Sequence, residues 1–291
     1  MSEINAVLFL AIAIGLPITI HLLTYSFVIG CLCRSEMICR NYQGAKIPTS
    51  AGLLIVGSVT ITMLCLYVIT IPWLSEREAA LFLCGSVAMA LWGWQDDRSE
   101  EPGVKGFRGH FRILWREQRM TSGFLKAWGG FGTALLISLA ITQDGSDVVL
   151  HTFLLALFTN IINLFDLRPG RAIKVFWLFL LVLVLLTQQA AAWVVWPWEL
   201  PLLTATLLFY VSDARGKVML GDSGSNYLGF VLGYYAIIVL DFPVKVALLV
   251  LLVVLHLIAE RFSFSQVIAS VGWLHKMDRL GTIARRSDQE R

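Results

Sequence analysis

The sequence predicts an all-α, polytopic integral membrane protein of about nine transmembrane helices (nine to ten). Its N-terminus is expected outside and its chemistry on the cytoplasmic face. Three observations predict this. Of 291 residues, 57% are hydrophobic, and the mean hydropathy is +0.73, too apolar for an ordinary soluble domain. Apolar runs of crossing length recur along the whole chain. The Lys and Arg residues between them fall almost entirely on one side once those runs are counted as crossings.

A helix needs about 20 mostly apolar residues to cross about 30 Å of hydrocarbon at about 1.5 Å per residue. The segments 4–33, 52–73, 78–94, 123–141, 148–165, 173–195, 199–212, 226–242 and 244–259 meet this, the seventh only just. It is short and begins between Pro197 and Pro201. The first exceeds a signal core and carries no small-residue cleavage site, so it is expected to be a true span. With the N-terminus outside, all of the 23 Lys and Arg except Arg77 and Lys245 lie inside. A missed or surplus span would scatter that bias. The chain 1–291 is therefore expected to be a single membrane-embedded domain. Cys31, Cys33, Cys39, Cys65 and Cys84 lie within or beside apolar segments, none with His at zinc spacing, and are expected to be structural thiols.

The loop after the third segment shows helical periodicity. Phe107, Phe111 and Leu114 share one face, and Arg108, Arg112, Arg116 and Arg119 lie on the flank beyond it, the pattern of a helix in the interface. Contact with anionic headgroups accounts for such a strip, and so does guidance of an anionic substrate.

Acidic islands close the inner ends of the apolar segments, where carboxylates are costly and mark function. Gly93-Trp94-Gln95-Asp96-Asp97-Arg98 ends the third; adjacent carboxylates stay ionised only beside a cation or metal, or as a helix end paired with Arg98. Asn160, Asn163 and Asp166 follow a three-residue spacing at the end of the fifth, so that amides and carboxylate share a helical face for one ligand, or the Asn residues bond between helices. Gly221-Asp222-Ser223-Gly224-Ser225 combines glycines for close backbone approach, small hydroxyls for phosphate oxygens and a carboxylate for a metal. Lys46 opens the second segment and Lys126 the fourth; each either snorkels to the interface or meets a diphosphate. Magnesium, which takes one or two carboxylates plus phosphate oxygens, suits this set.

Four motifs in this order, KIPTSAG at 46–52, Asp96-Asp97, NIINLFD at 160–166 and MLGDSGSNYLG at 219–229, resemble the polyprenyl-phosphate N-acetylhexosamine-1-phosphate transferases. This is glycosyltransferase family 4, which includes the phospho-N-acetylmuramoyl-pentapeptide transferase of bacterial wall synthesis. The resemblance implies a phosphotransferase that moves a sugar-1-phosphate from a UDP-sugar to a polyprenyl phosphate and releases UMP. It implies magnesium as cofactor, with manganese in its place as an alternative, a bacterial plasma membrane location, no nucleic-acid partner and a homodimer as the usual assembly. By motif position Asp96, Asp97 and Asp222 would be catalytic, with Asp222 and Asp97 at the metal, Asp97 supporting the metal or the base, and Asp96 activating the lipid phosphate. Lys46, Lys126, Asn160, Asn163 and Asp166 would bind substrate.

The chain departs from the pattern in two places. The family continues after its Asn-Asn-Asp face with a glycine-rich stretch carrying a second Asp; here Pro169 stands in that position. The family's histidine cluster in the last cytoplasmic region is replaced by a lone His275. These departures keep a second reading open, a catalytically silent relative acting as a binding or assembly partner in envelope synthesis.

Overall fold

The structure, a computed structural model, describes residues 3–69, 76–99, 122–187 and 189–282. In chain order it comprises α1 (Glu3–Arg34), β1 (Ile38–Arg40), β2 (Lys46–Pro48), α2 (Leu53–Ile69), α3 (Glu76–Arg98), α4 (Ser122–Ile141), α5 (Gly145–Phe165) and α6 (Arg171–Leu186). There follow α7 (Gln189–Ala214), α8 (Gly221–Val239), α9 (Phe242–Arg261), α10 (Phe264–Ser270) and α11 (Gly272–Arg279). The protein is an all-α membrane protein. Among the described residues four stretches, Val7–Arg34, Gly123–Ile141, Gly145–Phe165 and Phe242–Arg261, are long and apolar enough to cross a membrane by length and composition.

Local chemistry sets the helix ends. Asp144 caps α5, its Oδ1 accepting from Ser146 N at 2.8 Å and Asp147 N at 3.3 Å. A proline opens α9, where a missing N–H costs nothing. Two boundaries differ from the sequence expectation. The sixth segment stops at Leu186, because Thr187 turns extended and its hydroxyl bonds Leu183 O and Tyr235 Oη, each at 2.8 Å. The residues after it belong to α7, a 26-residue helix that runs through Pro201 rather than starting there. The basic amphipathic helix expected around Phe107, Phe111 and Leu114 lies outside the described residues.

A two-stranded antiparallel ribbon, not expected from the sequence, lies between α1 and α2, with Ile38 opposite Pro48 and Arg40 opposite Lys46. Its turn is closed by Asn41, whose Oδ1 accepts from Gln43 N and Ala45 N at 2.9 Å. The ribbon delivers the segment after Lys46 to the start of α8. Met219 N donates to Pro48 O at 2.8 Å, Ala51 N to Met219 O at 3.1 Å and Gly52 N to Leu220 O at 3.0 Å.

Helix α8 is the centre of the bundle. It packs most extensively on α5 and α3 and also touches α2, α6 and α7. Every residue from Ser223 to Ile237 is buried. Small residues make this possible by letting backbones approach. A Cβ at Gly229 would stand 2.3 Å from Phe158 O on α5, and one at Gly93 of α3 would stand 2.1 Å from the Asp222 carbonyl oxygen.

Candidate active site

The start of α8 has a problem that its own sequence does not solve. The first backbone N–H groups of a helix lack intrahelical acceptors, and Leu220 at the cap position offers no side-chain acceptor. Carboxylates from elsewhere fill the role. Asp97, at the end of α3, accepts Asp222 N on Oδ1 at 2.9 Å and Ser223 N on Oδ2 at 3.1 Å. Asp166, at the end of α5, accepts the Gly221 N–H. Negative groups at a helix N-terminus also meet the positive end of its dipole. Gly221 itself has φ +72°, and a side chain there would strike Ser50 N and the Asp97 carboxylate.

Ser50 locks the arrangement from the ribbon side. It is fully buried, and its hydroxyl donates to Asp97 Oδ2 at 2.5 Å. Its φ is +58°, a left-handed conformation that a serine adopts only where surroundings enforce it, at a cost of about 1–3 kcal/mol. Three motifs distant in sequence thus meet at one helix end.

With its backbone held in this way, the Asp222 side chain faces Lys126, near the start of α4. Lys126 Nζ donates to Asp222 Oδ2 and, at 3.3 Å, to Asp96 Oδ2. Asn163, its amide oriented by this network, donates to Asp222 Oδ1 and accepts from Lys126 Nζ, both at 2.9 Å. Asp96, Lys126, Asn163 and Asp222 therefore form one front, with Asp97 and Asp166 behind it. Lys46 is exposed on β2 and Asn160 is exposed on α5; among the described residues neither joins these bonds.

The electrostatics are those of crowded acids. Burial pushes Asp222 up to about 7, with Asp97 and Asp96 adding to the rise and Lys126 opposing it. Burial also raises Asp97, against the donors from Ser50, Asp222 and Ser223. Asp166 is raised well above the usual carboxylate range by burial and by Asp213, Asp222 and Asp97. A divalent cation relieves such crowding. Among the described residues no three His, Cys, Asp or Glu side chains gather as a metal-holding group. The front offers two carboxylates, Asp222 and Asp96, already turned toward one cation. That number fits magnesium, which completes its shell with phosphate and water oxygens, and does not fit a closed zinc site.

A family model described as glycosyl transferase family 4 matches residues 79–240. The chain belongs to glycosyl transferase family 4. Membership in this family supports transfer of a sugar phosphate to a lipid carrier in general. The matched stretch runs from α3 to just past α8 and takes in the whole front, whereas Lys46 and Ser50 lie before it. No match to the chain is found among curated proteins.

Two site residues were missed in the sequence. Ser50 lies inside the KIPTSAG motif, but only its positive φ and its bond to Asp97 reveal its place in the site. Asp213, 3% exposed at the end of α7, accepts Gly170 N at 2.9 Å and is the largest charge influence on Asp166. Burial pushes it up to about 7, with the Gly170 N–H and Lys174 opposing. A lone acid after an apolar run was its only signal.

Proposed function

We propose that this family 4 transferase moves a sugar-1-phosphate, an N-acetylhexosamine phosphate, from a UDP-sugar to a polyprenyl phosphate in bacterial envelope glycan synthesis. The observation that carries the reading is the convergence of Asp96, Lys126, Asn163 and Asp222 from four helices onto one front, with Asp97 and Asp166 fixing the helix that bears Asp222.

In this reading an oxygen of the lipid phosphate attacks the sugar-linked phosphorus of the donor. The bond between that phosphorus and the bridging oxygen breaks, and UMP leaves with the oxygen and its electron pair. The products are a polyprenyl-diphosphate sugar and UMP. Asp96 would take a proton from a monoprotonated acceptor phosphate. Lys126 would turn from the carboxylates to the donor diphosphate, and Asn163 would orient it. Asp222, with Asp96 beside it, would hold magnesium or manganese, and Asp97 would support that site through the backbone of α8. When bound, the ion would offset the charge that builds on the diphosphate oxygens. Positioning and charge stabilisation account for most of phosphoryl-transfer catalysis, and this arrangement supplies both. Lys46, exposed on the ribbon, and Asn160, exposed on α5, are assigned to the approach of anionic substrate. The one-sided distribution of Lys and Arg supports nine crossings, an outside N-terminus and a front on the cytoplasmic face; a plasma-membrane location and a homodimer are proposed from the family resemblance alone.

The test is UMP release by purified protein from a panel of UDP-sugars. Release is expected only with polyprenyl phosphate and a divalent cation together, and Asp222→Ala is expected to abolish it while the unfolding temperature in detergent stays near that of wild type. Silence with every donor would instead favour the binding-partner reading.

A further inference from the structure

Arg171, the first residue of α6, is buried to 3% exposure and has no part in the transfer described above. Its guanidinium donates from Nε and Nη2 to both oxygens of Asp278, at 2.7 and 2.8 Å, and from Nη1 to Ser265 Oγ at 2.8 Å. Such a planar two-point pair fixes orientation as well as distance. One turn on, Lys174 donates to the Asp278 carbonyl and, at 3.3 Å, to the Met277 and Leu280 carbonyls. These groups lie at the end of α11, where carbonyls lack helical partners. Tyr210 Oη donates to Leu280 O at 3.1 Å, and the Phe165 and Phe264 rings stack with centroids 4.5 Å apart.

Helices α10 and α11 are seven and eight residues long and bury no residue of their own. Helices that short do not stand alone in water. The ties to α5, α6 and α7 hold them, and the Arg171–Asp278 pair is the most buried of these.

Their docking place is next to the site. Arg171 ends the loop that Asp166 begins, and the same loop is tied through Gly170 N to Asp213. Beside it opens a shallow, solvent-open cleft. Pro169 of the loop, Thr282 beyond α11, Arg215 beyond α7 and Asn41, Tyr42 and Gln43 of the ribbon turn line it. The Arg168 guanidinium lies 5.3 Å from the centre of the Tyr42 ring. Two amides, a cation and a half-exposed ring suit a flat, hydrogen-bonding, anionic ligand.

We infer that Arg171 and Asp278 are positioning residues for the donor: by docking the C-terminal helices they complete the wall of the cleft that receives the nucleoside diphosphate end. The inference rests on the transferase reading and deepens it. Neither residue touches reacting atoms; they act through Pro169 on one wall and Thr282 on the other.

The test uses the full chain in detergent and UDP as the probe, with two variants, Arg171→Ala and the milder Asp278→Asn. Amide hydrogen exchange over 264–282 reads docking, and calorimetric titration with UDP reads the cleft. Both variants are expected to raise exchange there, and Arg171→Ala to weaken UDP binding about tenfold, the scale of a small misplacement. The KM for the UDP-sugar should rise while that for polyprenyl phosphate holds. Arg171→Lys, which keeps the charge but loses the fork, should fall between. Raised exchange with unchanged UDP affinity overturns the inference, as do unchanged exchange, an equal rise in both KM values, or a wild type that binds no UDP. A wild type that binds UDP but transfers nothing overturns only the transferase reading.

Discussion

Helices α8 and α9 follow one another in sequence and have nearly equal lengths, 19 and 20 residues, yet only α9 has the composition of a lipid-facing span. Its best window has a mean hydropathy of 2.6 and is 11% buried. Helix α8 carries four glycines and the polar run Asp222-Ser223-Gly224-Ser225-Asn226, falls outside the stretches that qualify by composition, and is buried from Ser223 to Ile237. The contrast teaches that apolarity in this protein measures contact with lipid, not distance from it. The helix that carries Asp222 is the one surrounded by other helices, where small residues and satisfied polar groups replace bulk. It follows that α8 should tolerate almost no change and α9 a great deal.

The largest effect on activity is expected where α3 presses on the start of α8. Gly93→Ala puts a methyl group against the Asp222 carbonyl oxygen, and neither backbone can yield cheaply. Overpacking of this kind costs about 1–3 kcal/mol. The same displacement moves the Asp222 carboxylate, so transferase activity should fall further than the unfolding temperature implies. Unfolding in detergent measured beside UMP release checks both. Asp97→Asn comes next. The amide keeps the size but aims an NH₂ group at one of the donors, and a lost hydrogen bond to a charged group is worth about 1.5–3 kcal/mol. Ser50→Ala should reproduce part of this loss, because its hydroxyl serves the same carboxylate. Were Asp97→Asn to abolish metal-dependent turnover with no change in stability, direct ligation by Asp97 would be favoured over support through α8.

A pH dependence follows for the C-terminal helices. Burial raises the Asp278 carboxyl, but the hydrogen bonds and charge of Arg171, with Lys174 and Arg168, outweigh it and hold the group below its ordinary value of 3.8. A carboxylate with a depressed value in the docked state stabilises docking above its undocked value and loses that contribution as pH falls through the docked one. Protection of 264–282 from exchange should therefore persist from neutral pH to below 3.8 and then decline. Asp278→Asn should remove the acid-dependent step.

Much of the architecture was legible because it is dictated by solvent. The long apolar runs follow from the cost of exposing polar groups to lipid, and among the described residues most predicted segments fall on helices, although the segment 173–195 runs across the break at Thr187 into the next helix. The acidic islands were legible too, since carboxylates beside hydrocarbon need a reason. Their division of labour was not. Successive residues on a helix point about 100° apart, so Asp96 and Asp97, adjacent in sequence, face different partners: Asp96 turns to Lys126 and Asp97 to the α8 backbone. Steps of three residues drift back by about 60° each, which separates exposed Asn160 from Asp166 although both belong to one motif. The ribbon was hidden because three-residue strands carry too little alternation to show. Asp213 and Arg171 were hidden because their partners, Gly170 and Asp278, lie 43 and 107 residues away.

The smallest effect belongs to the exposed face of α9. Leu257 is 62% exposed on a helix that buries only Leu248 and Leu252 among its residues. In lipid, an exposed leucine exchanges one apolar neighbour for another, and no hydrophobic transfer term is lost on truncation in the way it is at a buried site. Leu257→Ala should leave the unfolding temperature and UMP release within error of wild type. Leu252→Ala, on the same helix but fully buried against the bundle, should cost about 2–5 kcal/mol. The pair separates lipid contact from packing within a single helix, at a difference of five residues. Equal effects would mean that α9 is covered by something other than lipid at Leu257, with a second copy of the chain as the first candidate to examine by cross-linking.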